Sequence, residues 1–313
     1  MADIKDTIKN ICPEVVFEEN EVLTVAVPDK CWHNVAVAIK EAGYEWLTAL
    51  IGEDFGEALG CVYYFTSVKD NSKLSAIVKT EDRENPMIHS VSDLWKDALL
   101  EEREVYDFYG IKFINHPDMR RLFLRNDWVG FPLRKDYDES EELNPVRLYH
   151  EEVDDSSVTY VEDENGKVSA KKVDVFTSDE FVVNIGPQHP ATHGVLRFRT
   201  SLDGEEIKKI DLVCGYIHRG IEKLSEKLTY AQSTHFFDRM DYFSALPNEH
   251  CLCMCVEKAL GIEVPRRAQV IRVMVDELSR IASHLLFFGT YCMDLGATTA
   301  LFYGLRERET ILD

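Results

Sequence analysis

The sequence predicts an α+β protein of two domains joined by an acidic linker. Three observations carry this. Residues 1 to 137 alternate runs rich in Val, Tyr and Ile with only enough helical pattern to cover one face of a sheet. From Asp138 to Glu180 the composition shifts to carboxylates. From 181 onward a short set of strand signals gives way to helical periodicity that runs to the end of the 313 residues.

Each element has a local reason. Asp29 to Ala42 has a helical pattern that Gly43 can terminate. Ala58 to Val68 and Lys73 to Lys79 flank the turn Lys69-Asp70-Asn71-Ser72 and predict a hairpin. Ser90 or Ser92 is placed to cap a helix running to about Phe108. The linker carries the charge runs 138–142 and 151–157. It also carries a hairpin signal, Asn165-Gly166, between Ser157–Val161 and Lys167–Val173. In the second domain, 181 to 313, Phe181 to Ile185 is strand-like, and Asp203-Gly204 predicts a second hairpin between Gly194–Leu202 and Glu206–Val213. Helices are expected at about Ile217–Leu228, Tyr230–Leu246, Glu249–Leu260 and Arg266–Phe288, the last opening after Pro265. The sequence stops in what reads as mid-helix, so a truncated second domain is expected.

Composition narrows the partners. A net charge of -21 argues against nucleic acid and against direct docking on anionic lipid. The first residues lack the apolar core of a signal peptide. The eight cysteines form no Cys-x-x-Cys pair and read as reduced thiols. Ala282 to Leu305 is the most apolar stretch, but His284 and Asp294 lie inside it and Gly289 and Gly296 interrupt it. An Asp in mid-bilayer costs about 2.5–3.5 kcal/mol, so a buried helix pair is the better reading.

Five stretches carry polar chemistry. The loop Gly186 to Gly194 sets His189 and His193 among two glycines and two prolines. Such a stiff loop suits proton donation or hydrogen bonding, and a structural turn is equally open. Gly215 to Lys223 can open a helix towards a site or towards solvent. Phe236 to Phe243 holds two carboxylates, an Arg and Tyr242, whose phenol could donate to a ligand carbonyl. Taken alone it reads as an amphipathic helix. Cys251, Cys253 and Cys255 point to different faces of a helix, so small buried core residues are expected rather than metal ligands. Asp294, in its apolar stretch, calls for a partner such as a histidine. No dinucleotide fingerprint, P-loop or iron–sulfur spacing is present, so no cofactor is expected on this chain itself.

Several motifs in order resemble a known family. N-I-G-P-Q-H-P-A-T-H-G-V-L-R at 184–197, G-Y-I-H-R-G-I-E-K at 215–223, D-R-M-D-Y at 238–242, E-L-S-R-I-A-S-H-L at 277–285 and D-L-G-A at 294–297 resemble the D (49 kDa) subunit of respiratory complex I, NADH–quinone oxidoreductase. E-R-E-V-Y-D-F-Y-G-I at 102–111, H-P-D-M-R-R at 116–121 and D-W-V-G-F-P-L-R-K-D-Y at 127–137 resemble its C (30 kDa) subunit. Both in one chain resemble the bacterial C/D fusion.

The resemblance implies an N-terminal α/β sandwich-like domain, then a small antiparallel sheet leading into a helical bundle related to the [NiFe]-hydrogenase large subunit. It implies a peripheral-arm subunit of a multisubunit, proton-translocating NADH:quinone oxidoreductase at the cytoplasmic side of the inner membrane. Its partners would be a B-type subunit that holds a [4Fe–4S] cluster, an I-type subunit and a membrane H-type subunit. His193 and Tyr242 match the residues that hydrogen-bond the quinone carbonyls, Asp294 the carboxylate that pairs with that histidine, and His189 a supporting position. Arg120, Arg121, Arg134 and Lys135 are expected to form salt bridges to neighbours. At the hydrogenase metal-cysteine positions this sequence has Asp241 and Ser244, which argues against a Ni–Fe site.

Overall fold

The computed structural model describes residues 2–19, 21–137, 156–188 and 194–313. By internal contacts the chain divides into two compact units, Met1–Arg219 and Gly220–Asp313.

The first unit is built on a five-stranded sheet. Helix α1 (Ala2–Ile11) is followed by β1 (Val16–Glu19), β2 (Leu23–Pro28), α2 (Asp29–Glu41), β3 (Trp46–Asp54), β4 (Leu59–Thr66) and β5 (Lys73–Thr80). The spatial order is β1-β2-β5-β4-β3, with β2 and β5 parallel and the other pairs antiparallel. Register puts Val25, Ala76, Tyr63 and Leu50 on one face. That face packs on Trp32, Val35, Ala36 and Ile39 of α2, and on Ala98 and Val105 of α3 (Ala98–Tyr109). Trp32 lies 4.5 Å from Tyr63 and Phe65 lies 4.8 Å from Trp95, ring to ring. The opposite face carries Ala26, Ile77, Val62 and Ile51, and Ile51 is exposed. Helices thus cover one sheet face, as the α+β reading requires.

Two expectations change here. Ser90 and Ser92 do not cap α3, whose N-cap is Asp97 with no side-chain bond. Both serines instead serve the fully buried Glu102: Ser90 Oγ donates to Oε2 at 2.6 Å, and Ser90 and Ser92 share a 2.8 Å hydrogen bond. A buried carboxyl needs these donors more than an exposed helix start does. The Asn165-Gly166 hairpin forms as β8 (Ser156–Glu162) and β9 (Val168–Asp174), but it is more than a linker feature. With β6 (Met87–His89) and β7 (Lys112–Ile114) it makes a four-stranded sheet, order β6-β7-β8-β9. The charged residues of 138–155 lie outside the described residues.

A third sheet, order β10-β11-β12, joins Phe181–Ile185, Arg197–Asp203 and Glu206–Val213 antiparallel, and it falls within the first unit. Gly204, at φ 62°, makes the turn that Asp203-Gly204 predicts.

The second unit is helical: α4 (Ile221–Ser225), α5 (Tyr230–Phe237), α6 (Ala245–Leu260), α7 (Arg266–Asp294) and α8 (Thr298–Leu312). The expected helix Tyr230–Leu246 ends instead at Phe237. The chain turns through 238–244, and α6 opens at Ala245 with Pro247 in its first turn, where the missing N–H has no partner in any case. Thr229 and Gln232 form a capping box on α5. The apolar stretch 282–305 is a helix pair turned at Gly296, φ 90°. Among the described residues no helix is long and apolar enough to cross a membrane.

Candidate functional site

His189 and His193 lie outside the described residues. Their connection runs between the end of β10 at Ile185 and the start of β11 at Arg197. Tyr242 follows α5 in a turn, 37% exposed, with its ring 4.6 Å from that of Phe243. The turn is held locally: Ser244 N–H donates to Asp241 O at 3.0 Å, and Phe243 N–H to Asp241 Oδ1 at 3.3 Å. Asp294 is the last residue of α7 and is exposed. The expectation that 282–305 is a buried helix pair is thus corrected: the pair forms, but Phe287, Phe288, Tyr291, Leu295 and Phe302 are exposed. Cys251 and Cys255 are likewise exposed and Cys253 half-buried, all free thiols on α6; they are not core residues. The physical reason is that α6 buries none of its residues within this unit. Among the described residues no group of three His, Cys, Asp or Glu could hold a metal ion.

A buried polar constellation lies elsewhere, between the 116–124 segment and the 197–218 segment. Arg120 Nη2 donates to Asp118 Oδ2 at 2.6 Å and to Asp211 Oδ1 at 2.7 Å. Arg199 Nε donates to the other oxygen of Asp211 at 2.9 Å. Asp211, Arg199 and Arg120 are all buried. Asp107 orders the same segment: its Oδ2 accepts from the N–H groups of Leu122, Phe123 and Leu124 at 3.0, 2.7 and 2.9 Å, and its Oδ1 from Arg121 at 2.8 Å. The G-Y-I-H-R-G motif sits against this platform. A Cβ on Gly215 would collide with the Phe123 carbonyl, and its φ of 98° also favours glycine. His218 stacks on Phe108 and Phe123 at 5.2 and 5.7 Å.

The arginines expected to reach neighbouring subunits are therefore engaged within the chain. Arg120 meets Asp211 and Arg121 meets Asp107, while Arg134 donates to the carbonyls of Tyr109 and Arg83 at 2.6 and 3.0 Å. Lys135 contributes its backbone N–H to Asp54 at 2.9 Å. Sequence reasoning missed Asp211 and Arg199. Their only signal was the alternation of β11 and β12, which directs a charged residue inward on each strand.

Three further groups are strongly perturbed. His89 Nδ1 lies 3.0 Å from Asp29 and Nε2 lies 2.8 Å from Glu162. Hydrogen bonding to Asp29 leads in raising its pKa to about 9. Burial pushes the Glu102 carboxyl up to about 8 and pulls the His116 imidazole down to about 4. The two are 4.0 Å apart, yet at neutral pH neither carries a charge, so the contact is not an ion pair.

Comparison with known proteins gives these segments a family. Residues 25–142 match the family described as respiratory-chain NADH dehydrogenase, 30 Kd subunit. The C/D subunit of NADH-quinone oxidoreductase from Phocaeicola vulgatus is 54% identical over 291 residues, covering 92% of this chain and 56% of that protein. The protein of the same name from Bacteroides thetaiotaomicron is 52% identical, covering 87% of this chain and 53% of that one. That from a Sulfurihydrogenibium species is 38% identical, covering 95% and 54%. The chain spans about half the length of these curated relatives. With both its 30 Kd-type domain and the segment beyond it matched, the chain belongs to the family of NADH-quinone oxidoreductase C/D subunits.

Proposed function

We propose that this chain contributes the quinone-headgroup side of an NADH:quinone oxidoreductase, reducing quinone with two electrons and two protons inside a multisubunit, proton-translocating complex. The observation that carries the reading is 54% identity to a C/D subunit over 92% of the chain, taken with the motif stretches around His193, Tyr242 and Asp294. Electrons would come from a [4Fe–4S] cluster in a neighbouring B-type subunit. This chain would supply protons and hydrogen bonds. An imidazolium at His193 and a phenol at Tyr242 can each donate to one carbonyl of the headgroup. Asp294 would favour the charged imidazole and orient its ring, and His189 would support the loop. Deprotonation of His193 would then alter its pairing with Asp294, and that charge change would start the signal to a membrane arm built on H-type subunits. The I-type subunit would complete the peripheral arm, on the cytoplasmic side of the inner membrane. A helical second domain related to the [NiFe]-hydrogenase large subunit, and a division into domains 1–137 and 181–313 about a linker, belong to the same reading.

Replacing Asp294 with Asn in the assembled complex should slow quinone reduction or uncouple it from proton translocation. Unchanged turnover and pumping in that variant would remove the proposed role. A second reading, assembly of the peripheral arm without a competent pocket, is favoured by one observation. The second unit exposes Ile271, Met274, Leu278, Phe287 and Phe288, a surface suited to contacts with other protein. Quinone reduction that survives both His193→Ala and Tyr242→Phe would select it.

A further inference from the structure

We propose that Asp211 and Arg120 anchor the third sheet to the first domain and act as positioning residues for its strands β10 and β11; the functional half of this inference rests on the quinone reading above. The sheet buries no apolar cluster of its own. Among the described residues of 181–213 the buried side chains are Arg199, Thr200, Ser201 and Asp211, all polar. Several of its large apolar residues point outward: Phe181 is 69% exposed, Ile207 56% and Ile210 53%. Register puts Val183, Phe198, Leu202, Ile210 and Leu212 on one face, none of them buried, and Arg199 and Asp211 on the other; a three-stranded sheet whose apolar face is not buried has little to fix it in place. Its position must come from what its buried face touches.

That face meets the 116–124 segment of the 30 Kd-type domain. Asp211 takes one guanidinium from each side, Arg120 at 2.7 Å across the seam and Arg199 at 2.9 Å from its own sheet. Arg120 is also tied to Asp118, and Arg103, largely buried, lies 3.5 Å from Asp118. Removing the Asp211 charge would leave three buried guanidiniums facing one carboxylate, the costly way to break a buried network. The contact is also one of shape. Gly215 fits against the Phe123 backbone, and His218 extends the Phe108–Phe123 stack. The segment 116–124 is itself set by Asp107 on α3. A chain of contacts therefore runs from the core of the first domain, through Asp107, Arg120 and Asp211, to the strands on either side of residues 186–196.

Hydrogen–deuterium exchange on the 313-residue chain tests the anchor. In Asp211→Asn and Arg120→Gln, amides of 197–213 should exchange roughly tenfold faster or more, while those of β4 and β5 keep their protection. Arg120→Lys, which keeps the charge but not the two-pronged geometry, should fall between. Unchanged exchange in 197–213 would overturn the proposal. Equal loss across β4 and β5 would overturn it too, by making the cluster a general stabiliser of the fold. In the assembled complex, Asp211→Asn should raise the KM for a water-soluble short-chain quinone several-fold, with less effect on kcat. An unchanged KM alongside faster exchange would overturn the positioning role. A His193→Ala variant that reduces quinone normally would instead refute the quinone reading, and the exchange experiment would still decide the anchor.

Discussion

His89 ties together three parts of the first unit that are far apart in sequence: the start of α2 through Asp29, its own strand β6, and the hairpin through Glu162. Its folded pKa, about 9, lies above the ordinary value of 6.5. A raised pKa contributes stability that is fully present below 6.5 and is lost as pH rises through about 9. The imidazole is half-buried, so the contribution is at most about 3 kcal/mol. His89→Gln should remove this slope from stability measured by denaturant titration between pH 6.5 and 9; an unaltered slope would contradict the bridge. Glu102 makes the opposite case, a carboxyl held neutral by burial. Glu102→Gln should cost little, whereas Glu102→Ala, which strands Ser90 Oγ and the Val91 N–H, should cost about 2–4 kcal/mol. Neither residue was legible beforehand, because their partners lie 11 to 73 positions away. Tyr242 and Asp294 stood out by residue type, as a possible donor and a carboxylate in need of a partner, and only motif resemblance gave them a shared role.

Turn chemistry was the most legible feature among the elements. Asn71, Gly166 and Gly204 all take positive φ, and each closes the hairpin its dipeptide or turn predicted. Helix ends were less legible, since apolar periodicity carried one helix across Gly220 and another through the turn at 238–244. The α7–α8 pair was legible as two helices, but its close crossing was not. A Cβ at Gly304 would stand 2.6 Å from Leu285 O, and one at Gly289 3.0 Å from Leu301 Cα. Backbone cannot yield as a flexible side chain would, so Gly304→Ala should destabilise the pair by about 1–3 kcal/mol. Faster amide exchange confined to α7 and α8 would show it, and unchanged exchange would count against the crossing.

Across the whole chain the two units differ in kind. The first buries a continuous core running from Ile4 to Met119. In the second, Ala282 is the one buried hydrophobic side chain among the described residues, while Phe287, Tyr291, Phe302 and Tyr303 are all more than half exposed. Polar clasps such as Arg272–Glu257 at 2.7 Å and His250–Asp276 at 2.5 Å cannot replace a core. Residues 1–219 alone should therefore melt cooperatively, and 220–313 alone should melt without a cooperative transition and bind a hydrophobic dye. A sharp calorimetric transition in 220–313 would contradict this. The α+β class was legible because it follows from local patterns. The pairing of the third sheet with the first domain was not, because it depends on a buried charge pair 91 residues apart in sequence. The proposed role in quinone reduction stands or falls on NADH oxidation by the assembled complex with Tyr242→Phe, assayed in parallel with quinone and with a hydrophilic artificial acceptor. A phenol that donates to the headgroup requires the quinone rate to fall about tenfold or more while the artificial-acceptor rate stays intact; an unchanged quinone rate would contradict that role.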